Sequence, residues 1–214
     1  DFGIPGNILA NYLRENGIIP EKCDLNDILF LMTPAESETK MNDLVAKLIR
    51  FEQLIDQDAP MSEVLPSIYN AYEEKYRGYT IRRLCQEMHD FYKDRKVSTL
   101  QKELFLKDYF PEYVMNPQEA QYEFMRAHGE LVDLADAEGR TALEGALPYP
   151  PGVLCVHPGE KWSKTAVTYF LDLVEGINQL PGFAPEIQGV YVQPGADGKK
   201  HAYGYVLKKE FEKK

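Results

Sequence analysis

Cysteine, histidine and long apolar runs are scarce in this sequence, and each shortage excludes a class of structure. The 214 residues include three cysteines, at positions 23, 85 and 155, and no CxxC pair. Because an odd number of widely separated cysteines does not build a disulfide framework, the sequence predicts free, buried thiols. The four histidines show no HxH or HExxH spacing, so we predict no metal site.

Targeting and membrane signals are absent as well. No apolar run approaches the roughly 20 residues that cross a bilayer, and the first residues lack the pattern of a signal peptide. We therefore expect a cytoplasmic protein without membrane contact. Since the sequence starts at Asp1 and not at methionine, we also expect it to be a piece of a longer chain.

Basic residues are outnumbered by acidic ones. There are 24 lysines and arginines against 34 aspartates and glutamates, which gives a formal net charge of −10. Nucleic-acid binding needs a basic stripe, so this balance argues against it, and a negative field favours cationic ligands. The sequence also lacks a GxSxG elbow, a glycine-rich phosphate loop and a Walker lysine. The residues alone therefore predict no catalytic centre within the chain.

Helical and strand periodicities alternate, which predicts an α+β fold in two parts divided near residues 57–60. In the first part, residues 1–58, a helix between Pro5 and Gly17 precedes a hairpin of residues 18–23 and 28–32. A second helix follows a predicted capping box at Thr33. Too few strands are present for a complete domain, so this part is predicted to be the end of a small α/β domain.

The second part, residues 59–214, is predicted to be mixed α+β. Helices are expected after Asn116 and Ser163, whose side chains suit N-caps. An antiparallel hairpin is expected from residues 187–192 and 201–207, and the charged C-terminal tail is expected to be solvated. Between the two predicted helices, the stretch 141–160 contains four of the fourteen prolines. It predicts a rigid segment, a turn at Gly152 and a short buried strand at residues 153–157.

The order of residues in that stretch resembles the C-terminal region of the bacterial, fold-type-I ornithine/lysine/arginine decarboxylases. LPYPPGV at residues 147–153 is followed by PGE at residues 158–160. FGIP near the start and, further on, LPGF and IQGVY fall in the family's order, so the resemblance covers essentially the whole chain. LEGALPYPPGVLCV is most similar to the ornithine-specific branch.

The resemblance implies an enzyme whose main cofactor site lies outside this chain. The family uses pyridoxal 5'-phosphate, held by a lysine in a Ser-x-His-Lys motif, and a carboxylate pairs the pyridine nitrogen. Neither motif occurs here, so no catalytic or cofactor-binding residue is expected in this chain. Residues 1–58 are then the trailing part of an aminotransferase-like small domain, and residues 59–214 are the family's C-terminal domain. The implied reaction converts L-ornithine into putrescine and carbon dioxide.

Three residues are candidates for contact with substrate. Glu21, in the setting IIPEK, matches a family glutamate that meets the distal amine of the substrate. Spacing alone would favour an exposed strand carboxylate at this position. Glu144 lies in the ornithine-branch version of the proline-rich motif, and Tyr149 lies between prolines. Either of these two could instead brace this domain against the cofactor domain.

Partners follow from the resemblance as well. It implies a homo-oligomer, a dimer or a higher assembly, with an amino acid as its small-molecule substrate and a nucleotide effector in some members. Two alternatives stay open. The chain could be a non-catalytic assembly or nucleotide-effector module, or it could belong to the lysine or arginine branch of the family.

Overall fold

The computed structural model of the chain describes residues 2–149 and 152–212. It contains two compact units, one of Asp1–Phe91 with Pro181–Phe183 and one of Tyr92–Leu180 with Ala184–Lys214. Both helices and small sheets are present, which confirms the predicted α+β class. The compact units divide after Phe91, whereas the domain boundary near residue 58 stays a prediction. The predicted rigid pair Pro150-Pro151 lies outside the described residues.

The first unit is mostly helical, with one short hairpin. Helix α1 ends where Gly17 adopts a left-handed φ of +80°, as the sequence predicts. The hairpin strands are shorter than predicted. Its elements are α1 Gly6–Glu15, β1 Lys22–Cys23, β2 Ile28–Leu29, α2 Glu38–Asp56, α3 Met61–Val64, α4 Pro66–Ala71, α5 Glu73–Tyr76 and α6 Ile81–Asp94, which continues into the second unit.

The start of α2 differs from the predicted capping box at Thr33. Ser37 is the N-cap, and its side chain accepts a hydrogen bond from the Lys40 amide. Thr33 instead closes a separate turn, in which its carbonyl accepts from the Glu36 amide at 3.0 Å. The prediction was wrong because two hydroxyl residues four positions apart competed for the cap, and the one nearer the apolar positions prevailed.

The core of the first unit includes a segment from far along the sequence. The Tyr76 side chain is fully buried, and its hydroxyl donates to the Pro181 carbonyl at 2.7 Å. The ring of Phe183 meets the Tyr76 ring edge-on at 6.3 Å. Gly182 between them has a φ of +93°, so the LPGF motif forms the turn that the sequence predicts and also completes this core.

In its described residues, the second unit combines helices with two small antiparallel sheets. One sheet has the strand order β3-β7-β6, and the other pairs β4 with β5. Ala142 bridges Val206 of β7 and Ala146 bridges Val156, outside these strands. The elements are α7 Val97–Glu103, α8 Pro117–Met125, β3 Gly129–Asp133, β4 Leu147–Tyr149, α9 Lys164–Gln179, β5 Glu186–Gln188, β6 Tyr191–Pro194 and β7 Lys200–Leu207.

Both predicted N-caps in this unit are confirmed. Asn116 and Glu119 form a reciprocal capping box at the start of α8. The Ser163 side chain accepts from the Ala166 amide at 3.2 Å, which satisfies one of the free donors at the start of α9. Helix α9 then buries its apolar face, with Phe170 against the fully buried Trp162.

Two strand predictions in this unit were wrong. Residues 153–157 form no strand, and Val153 is half exposed, while the Cys155 amide donates to the Ala146 carbonyl at 2.9 Å. The predicted strand 187–192 is broken at Gly189, whose φ is +75°. Residues before the break pair with β4 and residues after it pair with β7. A residue with a left-handed φ cannot continue a strand. The two halves of this apolar run therefore pair in different sheets.

The described part of the C-terminal tail is bound to the second unit, contrary to the predicted solvated end. The Phe211 ring stacks on the His128 ring with centroids 3.7 Å apart. The Lys208 amide donates to the His128 carbonyl at 2.9 Å, and the Arg140 side chain pairs with the Glu212 carboxylate at 3.3 Å. The count of charges did not indicate this contact, because Phe211 is a single apolar residue among six charged neighbours.

Candidate functional site

Glu21 lies at the entry to the hairpin of the first unit. Its amide donates to the Leu29 carbonyl at 2.9 Å, which fixes its backbone to the opposite strand. The hairpin turn is held by the Asp24 carboxylate, which accepts from two following amides. The Gly6 amide at the start of α1 donates to the Leu25 carbonyl at 3.0 Å. The backbone at Glu21 is therefore anchored, while its side chain is exposed.

Close packing ties this hairpin to α1. A Cβ at Gly6 would lie 2.7 Å from the Asp27 carbonyl oxygen, so only glycine permits the observed approach. The backbone position of Glu21 thus depends on the close packing of one helix against one hairpin. Within the described residues, no ion pair engages the Glu21 carboxylate.

Glu144 and Tyr149 belong to the second unit, so the candidates are divided between the two units. Glu144 is half-buried, and it accepts a hydrogen bond from the Tyr191 hydroxyl at 2.7 Å. Because a phenolate would lie beside this carboxylate, the bond raises the pKa of Tyr191 to about 12. The Tyr191 ring meets the Tyr205 ring edge-on at 5.5 Å. Glu144 is thereby held against the outer strand of the larger sheet.

Sequence reasoning missed Tyr191 as the partner of Glu144. The two residues are 47 positions apart, and no local pattern links them. The left-handed Gly189 is what brings the following strand beside Glu144. The signal that could have indicated this contact is the glycine within IQGVY, which interrupts an otherwise regular strand pattern.

Tyr149 ends strand β4, opposite Glu186 of β5. Its side chain is 36% exposed. The Gly152 amide donates to the Pro148 carbonyl at 3.0 Å, and the φ of Gly152 is +76°. A Cβ at Gly152 would lie 2.9 Å from the Tyr149 ring. The Tyr149 ring therefore occupies the space that a side chain at position 152 would need.

Replacing Gly152 with valine should destabilise the chain by more than about 1 kcal/mol, because a β-branched residue is strained at positive φ. The added side chain would also displace the Tyr149 ring. Chemical denaturation followed by circular dichroism measures the change. A variant that unfolds at the parent's denaturant concentration would contradict this interpretation of the turn.

Two of the three cysteine thiols are buried, and the imidazoles of His157 and His201 are hydrogen-bonded to carboxylates. Burial raises the pKa of the Cys85 and Cys155 thiols to about 12, while Cys23 is half-buried. His157 bonds to Glu160 at 3.1 Å and His201 to Asp197 at 3.0 Å. Within residues 2–149 and 152–212, no group of three metal-binding side chains is suitably placed.

An open groove of about 400 Å³ lies in the second unit, beside α9 and the β6–β7 turn. Its charged groups largely pair with one another. The Arg95 side chain lies 3.3 Å from the Asp172 carboxylate, and His201 bonds to Asp197. Asn178 exchanges two hydrogen bonds with the Lys200 backbone. None of the three predicted site residues lines this groove.

No helix in the described residues combines the length and the hydropathy that a bilayer-spanning segment requires.

Two family models match the chain. The model described as "Orn/Lys/Arg decarboxylase, C-terminal domain" matches residues 98–208, and that of the "major domain" matches residues 1–40. Similar curated proteins include the ornithine decarboxylase of Haemophilus influenzae, 65% identical over 97% of this chain. The inducible ornithine decarboxylase of Escherichia coli is 62% identical over the same share. The chain spans only 29% and 28% of their lengths.

Solved structures give the same result for the fold. The constitutive lysine decarboxylase of Escherichia coli superposes with a TM-score of 0.86 at 31% identity, over 96% of this chain and 29% of that one. Lysine decarboxylase A from Pseudomonas aeruginosa gives a TM-score of 0.88 at 31% identity, over 96% and 28%. These findings confirm the resemblance in LPYPPGV and the flanking motifs. The C-terminal-domain model matches residues 98–208, which are more than half of this chain. This chain therefore belongs to the Orn/Lys/Arg decarboxylase family.

Proposed function

We propose that this chain is the C-terminal part of a pyridoxal-phosphate-dependent ornithine decarboxylase, which converts L-ornithine into putrescine and carbon dioxide. One observation supports ornithine as the substrate. The chain is 62–65% identical to four curated ornithine decarboxylases and 33–36% identical to curated lysine decarboxylases. The lysine branch is therefore the more distant alternative.

The residues of this chain do not fit an anchor for pyridoxal phosphate. Its four histidines are followed by aspartate, glycine, proline and alanine, so no His-Lys pair is present. We therefore assign the cofactor to the major domain, of which residues 1–40 match only a part. When bound there, the cofactor supplies an electron sink for the electron pair released as carbon dioxide leaves. What this chain contributes is recognition of the substrate.

Glu21 is the residue we propose for that recognition. Its backbone is fixed by the hairpin and its carboxylate is exposed, so it can meet the distal ammonium of ornithine. A charge-assisted hydrogen bond of this kind stabilises by about 1.5–3 kcal/mol. Because the backbone at Glu21 is anchored, the reach of its side chain would also limit the distance between the reacting carbon and the ammonium of the substrate.

Glu144 and Tyr149 are proposed to lie at the edge of the substrate pocket. The Glu144 carboxylate also accepts the hydrogen bond from Tyr191, which holds it within the second unit. The same proposal includes a homo-oligomeric enzyme, a dimer or a higher assembly, located in the cytoplasm. A nucleotide effector is a further proposed partner.

Amine production by the full-length gene product tests the function. With pyridoxal phosphate present, ornithine should be decarboxylated with a kcat/KM about 10- to 200-fold above that of lysine, the usual discrimination for one methylene. Putrescine and cadaverine are separated and quantified by chromatography. The 214-residue chain alone should form neither amine. A preference for lysine would refute the substrate assignment, and putrescine formation by the isolated chain would refute the assignment of the cofactor to the major domain.

A further inference from the structure

Helix α8 ends in a turn that brings His128 back beside the helix. Ala127 adopts a left-handed φ of +61°, and its amide donates to the Phe124 carbonyl at 3.0 Å. The His128 amide donates to the Glu123 carbonyl at 3.1 Å. These two bonds form a Schellman motif, which reverses the chain at the end of a helix. The turn therefore places the His128 imidazole against the side chain of Glu123.

The two oxygens of the Glu123 carboxylate have different partners. One accepts a hydrogen bond from the Arg126 guanidinium at 2.8 Å, and the other accepts from Nδ1 of His128. The bonds from His128 and from Arg126 hold the pKa of the Glu123 carboxyl below its usual range. Because arginine keeps its charge at every ordinary pH, Glu123 stays ionised and bound when the imidazole loses its proton.

The face of the His128 imidazole is covered by the segment Lys208–Glu212, which we call the strap. The Phe211 ring is tilted by only 10° from the imidazole plane, with centroids 3.7 Å apart. The Lys208 amide donates to the His128 carbonyl at 2.9 Å, and its side-chain ammonium donates to the Ala127 carbonyl at 2.9 Å. His128 and its neighbour are thus the residues through which the strap binds the end of α8.

The far end of the strap is bonded to Arg140 and Thr141. The Glu212 carboxylate accepts from the Arg140 side chain at 3.3 Å and from the Thr141 amide at 3.4 Å. The Arg140 side chain is 13% exposed, and it also donates to the Leu207 carbonyl at 2.6 Å. Since Thr141 begins the proline-rich stretch 141–160, the strap joins the end of α8 to the start of that stretch.

We propose that the strap is a proton-sensitive contact: protonation of His128 tightens it and stiffens the start of the proline-rich stretch, and loss of that proton loosens both. A neutral imidazole still donates from Nδ1 to Glu123, so the proton changes the strength of the contact and not its presence. Protonation adds a positive charge beside the Glu123 carboxylate and against the Phe211 ring. An ion pair and a cation–π contact both stabilise the closed strap.

The direction of the pH effect follows from two groups. The pKa of Glu123 is lowered in the closed strap, so its contribution is present above the ordinary pKa of glutamate and is lost as the pH falls. The imidazole contributes when it is protonated, and histidines ordinarily change charge between about pH 5 and 8. The strap should therefore be tightest at about pH 5–6 and should loosen towards about pH 8.

Other charged groups near the strap keep their charge in this range. Carboxylates, ammonium groups and guanidinium groups ordinarily titrate outside it. His201, at the opposite end of β7, bonds to Asp197 instead. The remaining charged residues on α8, on β3, on the strap and at its far end are Glu119, Arg126, Glu130, Asp133, Lys208, Lys209, Glu210, Glu212 and Arg140.

Hydrogen exchange of the full-length gene product at about pH 5.5 and about pH 8 tests the proposal. Protection is expressed relative to the unfolded peptide at each pH, since intrinsic exchange itself depends on pH. Overlapping peptides report the amides of Thr141 and Lys208, whose protection should be about 3- to 30-fold lower at the higher pH. The amides of the buried Phe170 and Val174 in α9 are the internal control and should keep their protection. Equal protection at both pH values, or a parallel loss in α9, would overturn the proposal.

A variant without the imidazole isolates the titrating group. His128→Gln retains a side-chain donor for Glu123, and the protection of Thr141 and Lys208 should then differ by less than about 2-fold between the two pH values. His157→Gln is the matched control, because it removes another imidazole that bonds to a glutamate, and it should respond to pH like the parent. A His128→Gln variant that keeps the parent's response would contradict the proposal.

Phe211→Ala tests the link from the strap to the proline-rich stretch. Without the ring, the strap should open even at about pH 5.5, and the protection of the Thr141 amide should fall by at least ~3-fold. A Thr141 amide that stays as protected as in the parent would show that the strap does not stiffen the stretch, and the proposal would be wrong. None of these measurements uses enzyme activity, so their outcome is independent of the proposed function.

Discussion

Alanine in place of Gly189 is expected to destabilise the second unit by about 3 kcal/mol or more. Two effects combine at this position. Its φ of +75° lies in the left-handed region, where a side chain costs about 1–2 kcal/mol. A Cβ would also lie 1.9 Å from the Gly145 carbonyl oxygen. Since the position of a Cβ is set by the backbone of its own residue and the atom that it meets is a backbone oxygen, no rotamer change relieves the contact.

The site of this clash explains why the effect should reach beyond one residue. Gly189 separates β5 from β6, so a backbone shift there moves the pairing of both sheets. It also lies against Gly145, the residue that follows Glu144 in the chain, and it precedes Tyr191 by two positions. The tyrosine-to-carboxylate hydrogen bond should therefore weaken in the same variant.

Gly198→Ala is the matched control for Gly189→Ala. Its φ is +78°, nearly the same value, but a Cβ there would meet nothing within 4 Å. Only the conformational strain of about 1–2 kcal/mol should remain. Urea unfolding followed by circular dichroism compares the two variants with the parent. Equal losses in both would mean that the contact with Gly145 is absent in solution.

Replacement of Glu21 by glutamine in the full-length enzyme is expected to lower kcat/KM for ornithine by roughly 10- to 150-fold. This corresponds to a loss of about 1.5–3 kcal/mol in transition-state stabilisation. Glutamine keeps the shape and the hydrogen-bonding capacity of the side chain and removes its charge. The loss should come from the unpaired ammonium of the substrate in a desolvated pocket. Cofactor binding should not change, because the proposal places no contact between Glu21 and the pyridoxal ring.

A substrate analogue without the distal amine supplies the control. It has no ammonium to lose, so Glu21→Gln should affect its turnover much less than that of ornithine. Steady-state kinetics of two enzymes on two substrates therefore decide the role. Equal losses on both substrates would make Glu21 a scaffold residue, and no loss on either would refute its assignment.

Local signals in the sequence predicted the elements that depend on local chemistry. The caps at Asn116 and Ser163 and the left-handed ends at Gly17 and Gly182 follow from side-chain and backbone preferences within a few residues. The strand predicted at residues 153–157 failed because its apolar run is used for packing and single bridges, and periodicity cannot tell this apart from a ladder.

The candidate site was only partly accessible from the sequence for a related reason. Glu21 could be named from its motif, and the structure adds that a hairpin anchors its backbone. The bond between Glu144 and Tyr191 depends on a break at Gly189 and on the register of β6 with β7. Register between distant segments is decided by tertiary packing, so no local pattern could have indicated it.

The discontinuity of the first unit sets an order of events during synthesis on the ribosome. Its core needs Pro181–Phe183, which accept the Tyr76 hydroxyl bond and cover the Tyr76 ring. These residues follow Phe91 by a long intervening segment that belongs to the second unit. At translation rates of roughly 5–20 residues per second, the nascent first unit waits several seconds with an incomplete core. Chaperones that bind apolar surface would have their longest opportunity on this chain during that interval.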